Sequence, residues 1–339
     1  MILRKSELLY PTLLILFLGL TAEPQGHDEN WIQIPTASGE MIWIPRQAVA
    51  SQPRFKMDFQ ESDADFVFFS RNKPDGKIVR LDGIEYLHDE LFNGSRPTRI
   101  LVHGWLNDRH SPMSVNICDT YLIGWDFNVI VVDWSKCANR LNYITAASCV
   151  KAVGKLLARM LESLYTYKGL SLDDVYLIGH SLGAHVAGIA GKSLKRGNLS
   201  TIVALDPALP LFSLQDVENR VDIDDAAYVQ VIHTNGGFLG FLDPIGMADF
   251  YPNGGATQPG CGLNFAGICA HSRAWQLFVE SLMEPEEHLL AQPFYALQEL
   301  PGVEKNNVVG TKLGGEPSNQ ATGMYYIDTN AQSPYFGPP

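Results

Sequence analysis

Short apolar runs alternate with longer amphipathic stretches through most of this 339-residue chain. Runs dominated by Val, Ile and Leu suit strands that are covered on both faces. They occupy residues 78–81, 99–103, 128–133, 175–178, 202–205 and 228–232. The pattern therefore predicts a series of buried strands from about residue 66 onward.

The stretches between these runs have the spacing of helices. Residues 142–167 carry apolar side chains at intervals of three and four, as an amphipathic helix does, and a second helix is expected near residues 182–195. Strands that alternate with helices need crossover connections, and these favour a mostly parallel sheet. We therefore predict a single α/β domain over residues 58–339, with a central, mostly parallel sheet flanked by helices.

The first 22 residues have the layout of a secretory signal peptide. A basic start at Arg4 and Lys5 precedes an apolar run over residues 8–20, and small residues follow. The run is short for a membrane span, so an uncleaved anchor helix is the less favoured alternative. We expect residues 1–22 to be removed and the protein to be secreted. Residues 23–57 are interpreted as an N-terminal extension, either a small hairpin or a segment that crosses the main body.

The composition and net charge of the chain argue against several classes of protein and binding partner. Hydrophobic residues make up 46% of the chain and charged residues 18%, which supplies a sizeable core and excludes a largely disordered chain. A formal net charge of −12 disfavours nucleic acid, because that binding rests on Lys and Arg contacts to phosphate. The same charge favours neutral or zwitterionic lipid over strongly anionic membranes.

A Gly-x-Ser-x-Gly motif, Gly179-His-Ser-Leu-Gly183, lies directly after an apolar run and before a predicted helix. In that context the serine sits on a sharp turn that points its hydroxyl outward, and the glycines leave room for the neighbouring backbone. The alternative is a turn rich in Gly and Ser that carries no chemistry. We interpret Ser181 as the candidate nucleophile.

A nucleophilic serine needs a histidine base oriented by a carboxylate, in the chain order Ser, acid, His for this kind of turn. Asp206 ends the next apolar run, whereas Asp133 precedes the serine and is expected to cap a turn. The histidines that follow Asp206 are His233, His271 and His288. His233 ends a predicted strand and His288 lies in a charged stretch. Chain order and the neighbouring cysteine loop favour His271.

The oxyanion that forms during acyl transfer needs two preorganised N–H donors. One is expected from the main chain of Leu182, directly after the nucleophile. The other is expected from the main chain of Trp105, where Gly104 lets the loop after an apolar run bend. The Trp105 side chain itself is expected to be a core aromatic.

Five cysteines in a secreted chain leave at least one without a partner in the same chain. Cys261 and Cys269 enclose seven residues and are the easiest pair to close. Among the other three, Cys118, Cys137 and Cys149, only a Cys137–Cys149 pair is suggested. Two Asn-x-Ser motifs are candidate N-glycosylation sites, at Asn93 and Asn198.

Together these motifs resemble the pancreatic-type lipase family, which includes lipoprotein lipase, wasp-venom phospholipase A1 and the yolk proteins of flies. The resemblance runs from about residue 60 to the C-terminus. It rests on His103-Gly-Trp105, Val131-Val-Asp-Trp-Ser135, Gly179-His-Ser-Leu-Gly-Ala-His185, Ala204-Leu-Asp-Pro-Ala208, Val231-Ile-His-Thr234, the run from Asp249 to Cys261, and Cys269-Ala-His-Ser-Arg273. It implies an α/β-hydrolase fold. It also implies nucleophile, acid and base roles for Ser181, Asp206 and His271, and oxyanion roles for the N–H groups of Trp105 and Leu182.

The chain departs from the triglyceride lipases of this family at the loops around the site. Those lipases have a long lid, whereas seven residues separate Cys261 from Cys269, which at about 1.5 Å per residue is too short for a long amphipathic flap. An open site admits a bulky polar head group, as in the phospholipase A1 members. Apolar residues of the two loops are expected to contact an acyl chain or a lipid surface, with ordinary packing as the alternative. They are Phe238, Phe241, Leu263 and Phe265.

The chain departs from the family in two further features, a C-terminal β-sandwich domain and a calcium-binding loop. About 60 residues follow the helix expected near Arg273, too few for the β-sandwich domain of about 100 residues that larger members append, so no colipase-like helper is expected. The family's calcium loop resembles residues 220–225, but Val217 stands where a glutamate is expected. We interpret Asp222 and Asp225 as a solvated turn rather than a vestigial metal site. No metal or organic cofactor enters the expected chemistry.

The sequence therefore predicts a secreted serine ester hydrolase that acts on lipid at a membrane or droplet surface. Phospholipase A1-like specificity is slightly favoured over triacylglycerol lipase activity. The rival interpretation is a non-catalytic lipid carrier or yolk-type storage protein, but such relatives typically lose the serine that is kept here.

A small basic cluster is expected on the solvent-exposed face of a helix. It comprises Lys192, Lys195 and Arg196.

Overall fold

The computed structural model describes residues 31–38, 40–50, 58–262, 267–302, 310–318 and 320–337. Its strands are β1 (Trp31–Pro35), β2 (Met41–Pro45), β3 (Asp65–Ser70), β4 (Lys73–Val79), β5 (Thr98–Val102), β6 (Asn128–Asp133), β7 (Val175–His180), β8 (Thr201–Leu205), β9 (Tyr228–Ile232), β10 (Ala248–Pro252), β11 (Leu290–Phe294), β12 (Thr311–Lys312) and β13 (Gly323–Ile327). Its α-helices are α1 (Arg46–Ala50), α2 (Pro112–Gly124), α3 (Ser135–Ala138), α4 (Tyr143–Lys168), α5 (Leu182–Ser193) and α6 (Ile268–Ser281). The predicted signal peptide lies outside the described residues.

Eleven of the described strands form one sheet, in the order β12-β11-β13-β10-β9-β8-β7-β5-β6-β3-β4. The seven strands from β13 to β6 run parallel. Antiparallel strands flank them, with β3 and β4 beside β6, and β11 and β12 beside β13. This confirms the predicted α/β-hydrolase fold with a central, mostly parallel sheet.

Apolar layers cover both faces of the sheet. Along β5, Ile100 and Val102 pack in the layer that contains α4 and α5, whereas Leu101 packs in the layer that contains α2 and α6. Side chains alternate between the faces of a strand, so a strand buried on both faces reads as a continuous apolar run. This is why the central strands could be predicted.

The N-terminal segment forms the hairpin that was one of its two predicted alternatives. Strands β1 and β2 pair in antiparallel fashion, and Ile34 and Ile44 are buried in the same core as α4 and α5. The hairpin therefore packs against the main body of the fold.

The helix boundaries agree with the prediction at α4 and α5 but differ at α6. The helix expected to begin near Arg273 starts at Ile268, so Cys269 and His271 lie in its first turn and not before it. Gly267, with φ of 67°, makes the left-handed turn that lets the helix begin earlier. Within the described residues, no helix is both long enough and apolar enough to cross a membrane.

The register of the sheet brings three strand ends together. Val102 at the end of β5 pairs with Gly179 of β7, and His180 at the end of β7 pairs with Leu205 of β8. The residues that follow these strands therefore lie side by side at the carboxyl edge of the sheet, where ligands meet open α/β sheets.

Candidate active site

Ser181 sits on a strained turn between β7 and α5. Its φ of 58° and ψ of −123° are unusual for a residue other than glycine. Its main chain is fixed from both sides, because its N–H donates to Leu205 O at 3.0 Å and its carbonyl accepts from Ala208 N at 3.3 Å. This is the geometry expected of a nucleophile turn.

Glycines are required where this turn meets its neighbours. A Cβ on Gly179 would lie 2.3 Å from Gly183 O, and a Cβ on Gly183 would lie 2.1 Å from Val102 O. A Cβ on Gly104 would lie 2.8 Å from the Ser181 Cβ. The two glycines of the motif therefore allow close backbone packing, and the loop after β5 passes directly beside the candidate nucleophile.

Asp206 follows β8 and is completely buried. Its Oδ1 accepts hydrogen bonds from the main-chain N–H groups of Thr234, at 2.8 Å, and Asn235, at 3.0 Å. Gly240 covers the carboxylate so closely that a Cβ there would lie 2.5 Å from the carboxylate carbon. The second oxygen, Oδ2, is left to accept from a third partner.

That partner is His271. Its Nδ1 donates to Asp206 Oδ2 at 2.5 Å, so the carboxylate fixes the tautomer and the direction of the ring. The main-chain N–H of His271 bonds Gly267 O at 2.8 Å within the first turn of α6. With Nδ1 engaged in this way, Nε2 is the ring nitrogen able to accept a proton.

His180 joins the serine turn to His271. Its Nε2 donates to the main-chain carbonyl of His271 at 3.0 Å, and the two rings lie 4.5 Å apart. Burial, reinforced by the charge that His271 can carry, lowers the pKa of His180 to about 3. His180 is therefore neutral at physiological pH and acts on the geometry of the site rather than on its charge.

The alternative candidates lie elsewhere and are fully engaged. His233 is completely buried between Asp249 Oδ1, at 2.8 Å, and Phe241 O, at 2.7 Å. His288 pairs with Glu284 at 3.0 Å near the surface. Asp133 accepts from Ser135 N, as expected for a turn cap. Burial opposes ionisation of Asp133, but its hydrogen bonds with His103 and Ser135 lower its pKa.

The two expected oxyanion donors flank Ser181. Leu182 is the first residue of α5, so its N–H lies at the positive end of the helix dipole. Trp105 follows Gly104, and its indole Nε1 donates to Arg140 O at 2.7 Å, which holds the loop in place. Within the described part of the chain, neither main-chain N–H donates to a protein acceptor. Both are thus free for a ligand oxygen.

The four expected acyl contacts fall into different environments. Phe238 is 53% exposed at the tip of a turn, whereas Phe241 is 1% exposed and packs in the core beside His185. The Phe241 ring therefore has no exposed surface that a lipid could contact. For this residue the structure agrees with the alternative expectation, ordinary packing in the core. Leu263 and Phe265 lie outside the described residues.

The predicted disulfides are present. Cys261–Cys269 ties the start of α6 to the preceding loop, and Cys137–Cys149 joins α3 to α4. Cys118 is the free cysteine of the described residues. Burial raises the pKa of its thiol to about 12, and the negative charge of the nearby Asp119 contributes to this rise.

The two candidate glycosylation sites differ in exposure. Asn198 is exposed and Asn93 is half-buried.

The turn over residues 220–225 differs from the prediction. Asp225 is 5% exposed, so this is not a solvated turn. Lys192 was expected on an exposed helix face, but its ammonium bonds the Asp225 carboxylate at 2.6 Å. The close packing of the turn against α5 buries both groups. Burial raises the pKa of Asp225 to about 6 and Lys192 opposes that rise, so the carboxylate is ionised at neutral pH.

These residues do not fit the calcium ion that the family resemblance implies. The Lys192 ammonium already occupies the position from which a cation would meet Asp225, and the Asp222 carboxylate is paired with Arg220 at 2.5 Å. Val217 offers no side-chain oxygen where a third carboxylate is expected. Among the described residues, no group of three or more His, Cys, Asp or Glu side chains is arranged to hold a metal ion.

Several contributors to the site were missed by the sequence interpretation. His180 lies inside the motif, but nothing in the pattern indicated that its ring bonds the backbone of a residue 91 positions away. The N–H groups of Thr234 and Asn235 and the close approach of Gly240 depend on how the loop after β9 folds over Asp206. The cluster of glycines in that loop, at residues 236, 237 and 240, was the one available signal.

Comparison with known proteins finds lipases and phospholipases A1 among the relatives of this chain. The Lipase family matches residues 31–335. Phospholipase A1 of Polybia paulista is 34% identical over 82% of this chain and 90% of its own length. Lipoprotein lipase of Gallus gallus is 33% identical over 86% of this chain and 65% of its own length. Lipase member H-A of Xenopus laevis is 39% identical over 59% of this chain.

The chain spans only part of some of these relatives, including 43% of lipase member H-A. The match to the wasp phospholipase, by contrast, covers nearly the whole of that protein. The family match extends over most of the chain and includes every described residue of the candidate site. On this ground the chain belongs to the Lipase family.

Proposed function

We propose that this protein is a secreted serine carboxylic ester hydrolase that acts on lipids. The observation that carries the proposal is the 2.5 Å hydrogen bond between His271 Nδ1 and the buried Asp206 carboxylate, beside the strained turn at Ser181. A strained turn costs folding free energy, and a protein that only carries lipid has no physical need for it. Membership of the Lipase family supports lipid ester hydrolysis as the chemistry.

The proposed reaction begins when Ser181 Oγ attacks the ester carbonyl carbon. His271 Nε2 takes the proton from Oγ, and Asp206 holds the imidazolium that forms. The carbonyl electrons move onto oxygen, and the N–H groups of Trp105 and Leu182 stabilise that oxyanion. When the tetrahedral intermediate collapses, His271 gives the proton to the departing alcohol and the acyl chain stays on Ser181.

The second half reaction releases the fatty acid. A water molecule attacks the acyl carbon, and His271 accepts its proton. The same oxyanion donors are used again, and the proton returns to Ser181 Oγ as the acyl bond breaks. No metal or organic cofactor is needed for either half.

The proposed substrate is a phospholipid cleaved at the sn-1 ester, with triacylglycerol as the second candidate. Cys261 and Cys269 anchor the short loop beside the site with their Cα atoms 5.6 Å apart. Seven residues anchored in this way reach no more than about 14 Å from their base. Such a loop leaves room for a polar head group, although pocket size alone discriminates modestly.

The proposed partner surface is zwitterionic or neutral lipid. The exposed Phe238 ring lies on the loop that covers Asp206. An aromatic ring there can insert among acyl chains. The net charge of −12 opposes binding to strongly anionic membranes. Secretion is supported by the N-terminal sequence and by the two disulfides, which persist in oxidising compartments.

A fluorophosphonate probe tests for the activated serine. Wild-type protein is expected to be labelled, and Ser181→Ala is expected to lose the label. The matched control is Ser193→Ala at the far end of the same helix, which is expected to label like wild type. Absence of label on the wild type, or equal labelling of Ser181→Ala, would favour the storage or carrier interpretation.

Two lipid assays separate the substrates. Phosphatidylcholine carrying distinguishable acyl chains is expected to release the sn-1 chain, and triolein emulsion is expected to react more slowly. Release from triolein but not from phosphatidylcholine would reverse the order of the two candidates. Release from neither, by protein that the fluorophosphonate labels, would place the substrate outside both classes.

A further inference from the structure

Lys192 lies in the last turn of α5, eleven residues after Ser181, and its ammonium meets three oxygen atoms. The Nζ atom lies 2.6 Å from Asp225 Oδ1, 2.9 Å from Asp225 Oδ2 and 2.9 Å from Arg220 O. An ammonium group has three N–H donors. Its side chain is 20% exposed and that of Asp225 is 3% exposed, so the contact is largely withdrawn from water.

The same three oxygens are of the kind that a hard divalent cation uses. Carboxylate and main-chain carbonyl oxygens are the ligands that calcium prefers in proteins. Here the charge of Asp225 is compensated by Lys192, and the charge of Asp222 is compensated by Arg220, whose guanidinium also donates to Val221 O. Cations of the chain itself thus neutralise both carboxylates.

We propose that Lys192 is a tethered cation that takes the place of a divalent metal ion in this turn, so that the fold is independent of calcium. A side chain that delivers the positive charge is present whenever the protein folds. A metal ion instead stabilises the folded state only in proportion to its concentration and affinity. Lys192 is therefore a positioning residue for the turn over residues 220–225.

The turn matters because it supports the nucleophile helix. Cβ atoms on Gly188 and Gly191 would lie 2.5 Å from Asp225 Oδ2 and 2.0 Å from Asp225 O, so the turn is pressed against α5. Val221 N donates to His185 Nδ1 at 3.1 Å, which leaves His185 Nε2 to donate to Ala208 O at 2.7 Å.

Ala208 completes the connection to the site, because its N–H donates to Ser181 O at 3.3 Å. The chain of contacts runs from Lys192 through the turn and His185 to the backbone of the candidate nucleophile. Loss of the Lys192 charge is thus expected to loosen the support of Ser181 as well as the turn.

Thermal unfolding in EDTA and in millimolar calcium chloride tests the proposal. The wild-type unfolding temperature is expected to be the same in both, because the cation position is already filled. Lys192→Ala leaves a buried carboxylate without its partner and is expected to unfold about 5 °C lower in EDTA. Calcium is expected to raise the unfolding temperature of Lys192→Ala but not that of wild type.

Two further variants serve as controls for Lys192→Ala. Lys151→Ala removes a lysine that bonds the neutral Asn219 at 2.9 Å in the adjacent turn, so it is expected to show neither the loss nor the calcium response. In Lys192→Ala/Asp225→Asn the uncompensated charge is gone, and part of the lost stability is expected to return without calcium.

Three results would overturn the proposal. The first is a wild-type unfolding temperature that rises with calcium or falls in EDTA, which would mean that a metal ion is resident. The second is a Lys192→Ala variant as stable as wild type. The third is a Lys192→Ala variant that is destabilised but does not respond to calcium, which would reduce Lys192 to an ordinary ion pair. None of these readouts depends on the proposed hydrolysis.

Discussion

His180, the residue before the candidate nucleophile, donates from Nε2 to the main-chain carbonyl of His271 at 3.0 Å. The contact joins the end of β7 to the first turn of α6, two elements that are far apart in the chain. It sets the distance between the serine turn and the backbone that carries the candidate base. The ring of His271 is thus held twice, by Asp206 at Nδ1 and by His180 through its main chain.

Replacement of His180 by Ala is expected to lower kcat on a short soluble ester about tenfold, with a smaller effect on KM. The physical reason is the loss of a hydrogen bond worth about 1 kcal/mol that positions the base. Steady-state kinetics with a p-nitrophenyl ester measures the change. His88→Ala, at an exposed site away from the catalytic edge, is the control and is expected to keep wild-type kcat. Equal kcat values for the two variants would show that the contact does not position His271.

Replacement of Gly240 by Ala is expected to lower kcat by at least about tenfold while the protein remains folded. The added Cβ would lie 2.5 Å from the Asp206 carboxylate, so the carboxylate or the loop must shift, and small displacements of a catalytic group cost much of the rate. Kinetics and circular dichroism measure activity and fold.

Gly124→Ala is the control for this substitution, because a Cβ there meets no atom within 4 Å. It is expected to leave both kcat and the circular dichroism spectrum unchanged. A Gly240→Ala variant with wild-type kcat would mean that the loop can move away from Asp206 without changing its hydrogen bond to His271.

The sequence predicted the central strands because burial on both faces leaves an unbroken apolar run, and it predicted the serine turn because only glycines fit at residues 179 and 183. It did not predict any of the strands from β10 to β13, or the extent of β4. The exposed edge strand β4 contains Lys73, Asp75 and Lys77, and no apolar period marks it. Such a strand forms because its backbone pairs with β3, a long-range effect that a local pattern does not reveal.

The environment of charged residues was the weakest part of the sequence interpretation. Asp225 and Lys192 look like surface residues in the sequence, yet each is the partner that allows the other to be buried. Burial of a charge depends on the partner that the fold supplies, and that partner is 33 residues away in the chain. The fold likewise decides, for two apolar residues only three positions apart, that Phe238 is exposed and Phe241 is buried.

Stability is expected to fall as the pH drops below about 6.5. Burial lowers the pKa of both His180 and His185 from the ordinary value of 6.5 to about 3. Between these two values the unfolded chain binds more protons than the folded protein. The stabilisation is therefore complete above pH 6.5 and is lost progressively as the pH falls towards 3. At pH 5 each histidine accounts for about 2 kcal/mol of the loss.

Urea unfolding at pH 7 and pH 5 measures this loss. His185→Gln keeps an amide that can hydrogen-bond but does not titrate, so its loss of stability between the two pH values is expected to be smaller than that of wild type by about 2 kcal/mol. The exposed His88→Ala is the control and is expected to show the wild-type loss. The same pH dependence in His185→Gln and wild type would contradict the lowered pKa.

A buried ion pair ties the C-terminal part of the chain to the centre of the sheet. Arg99 on β5 donates from Nε to Glu316 Oε2 at 2.8 Å and from Nη2 to Glu316 Oε1 at 2.7 Å, and both side chains are 4% exposed. The guanidinium also lies 3.9 Å from the centre of the Tyr176 ring. Arg99→Met leaves the Glu316 carboxylate buried without its positively charged partner, which is expected to lower the free energy of unfolding by about 3–5 kcal/mol.

A double-mutant cycle measured by urea unfolding separates the pair from its surroundings. Arg99→Met/Glu316→Gln is expected to lose less than Arg99→Met alone, because no unpaired charge remains buried. Arg96→Met is the matched control three residues earlier. Arg96 pairs at 3.2 Å with Asp126, whose side chain is 52% exposed, so this pair is expected to contribute no more than about 1 kcal/mol. If the double variant loses as much as the sum of the two single variants, the two side chains stabilise the fold independently and the ion pair does not anchor the C-terminal segment.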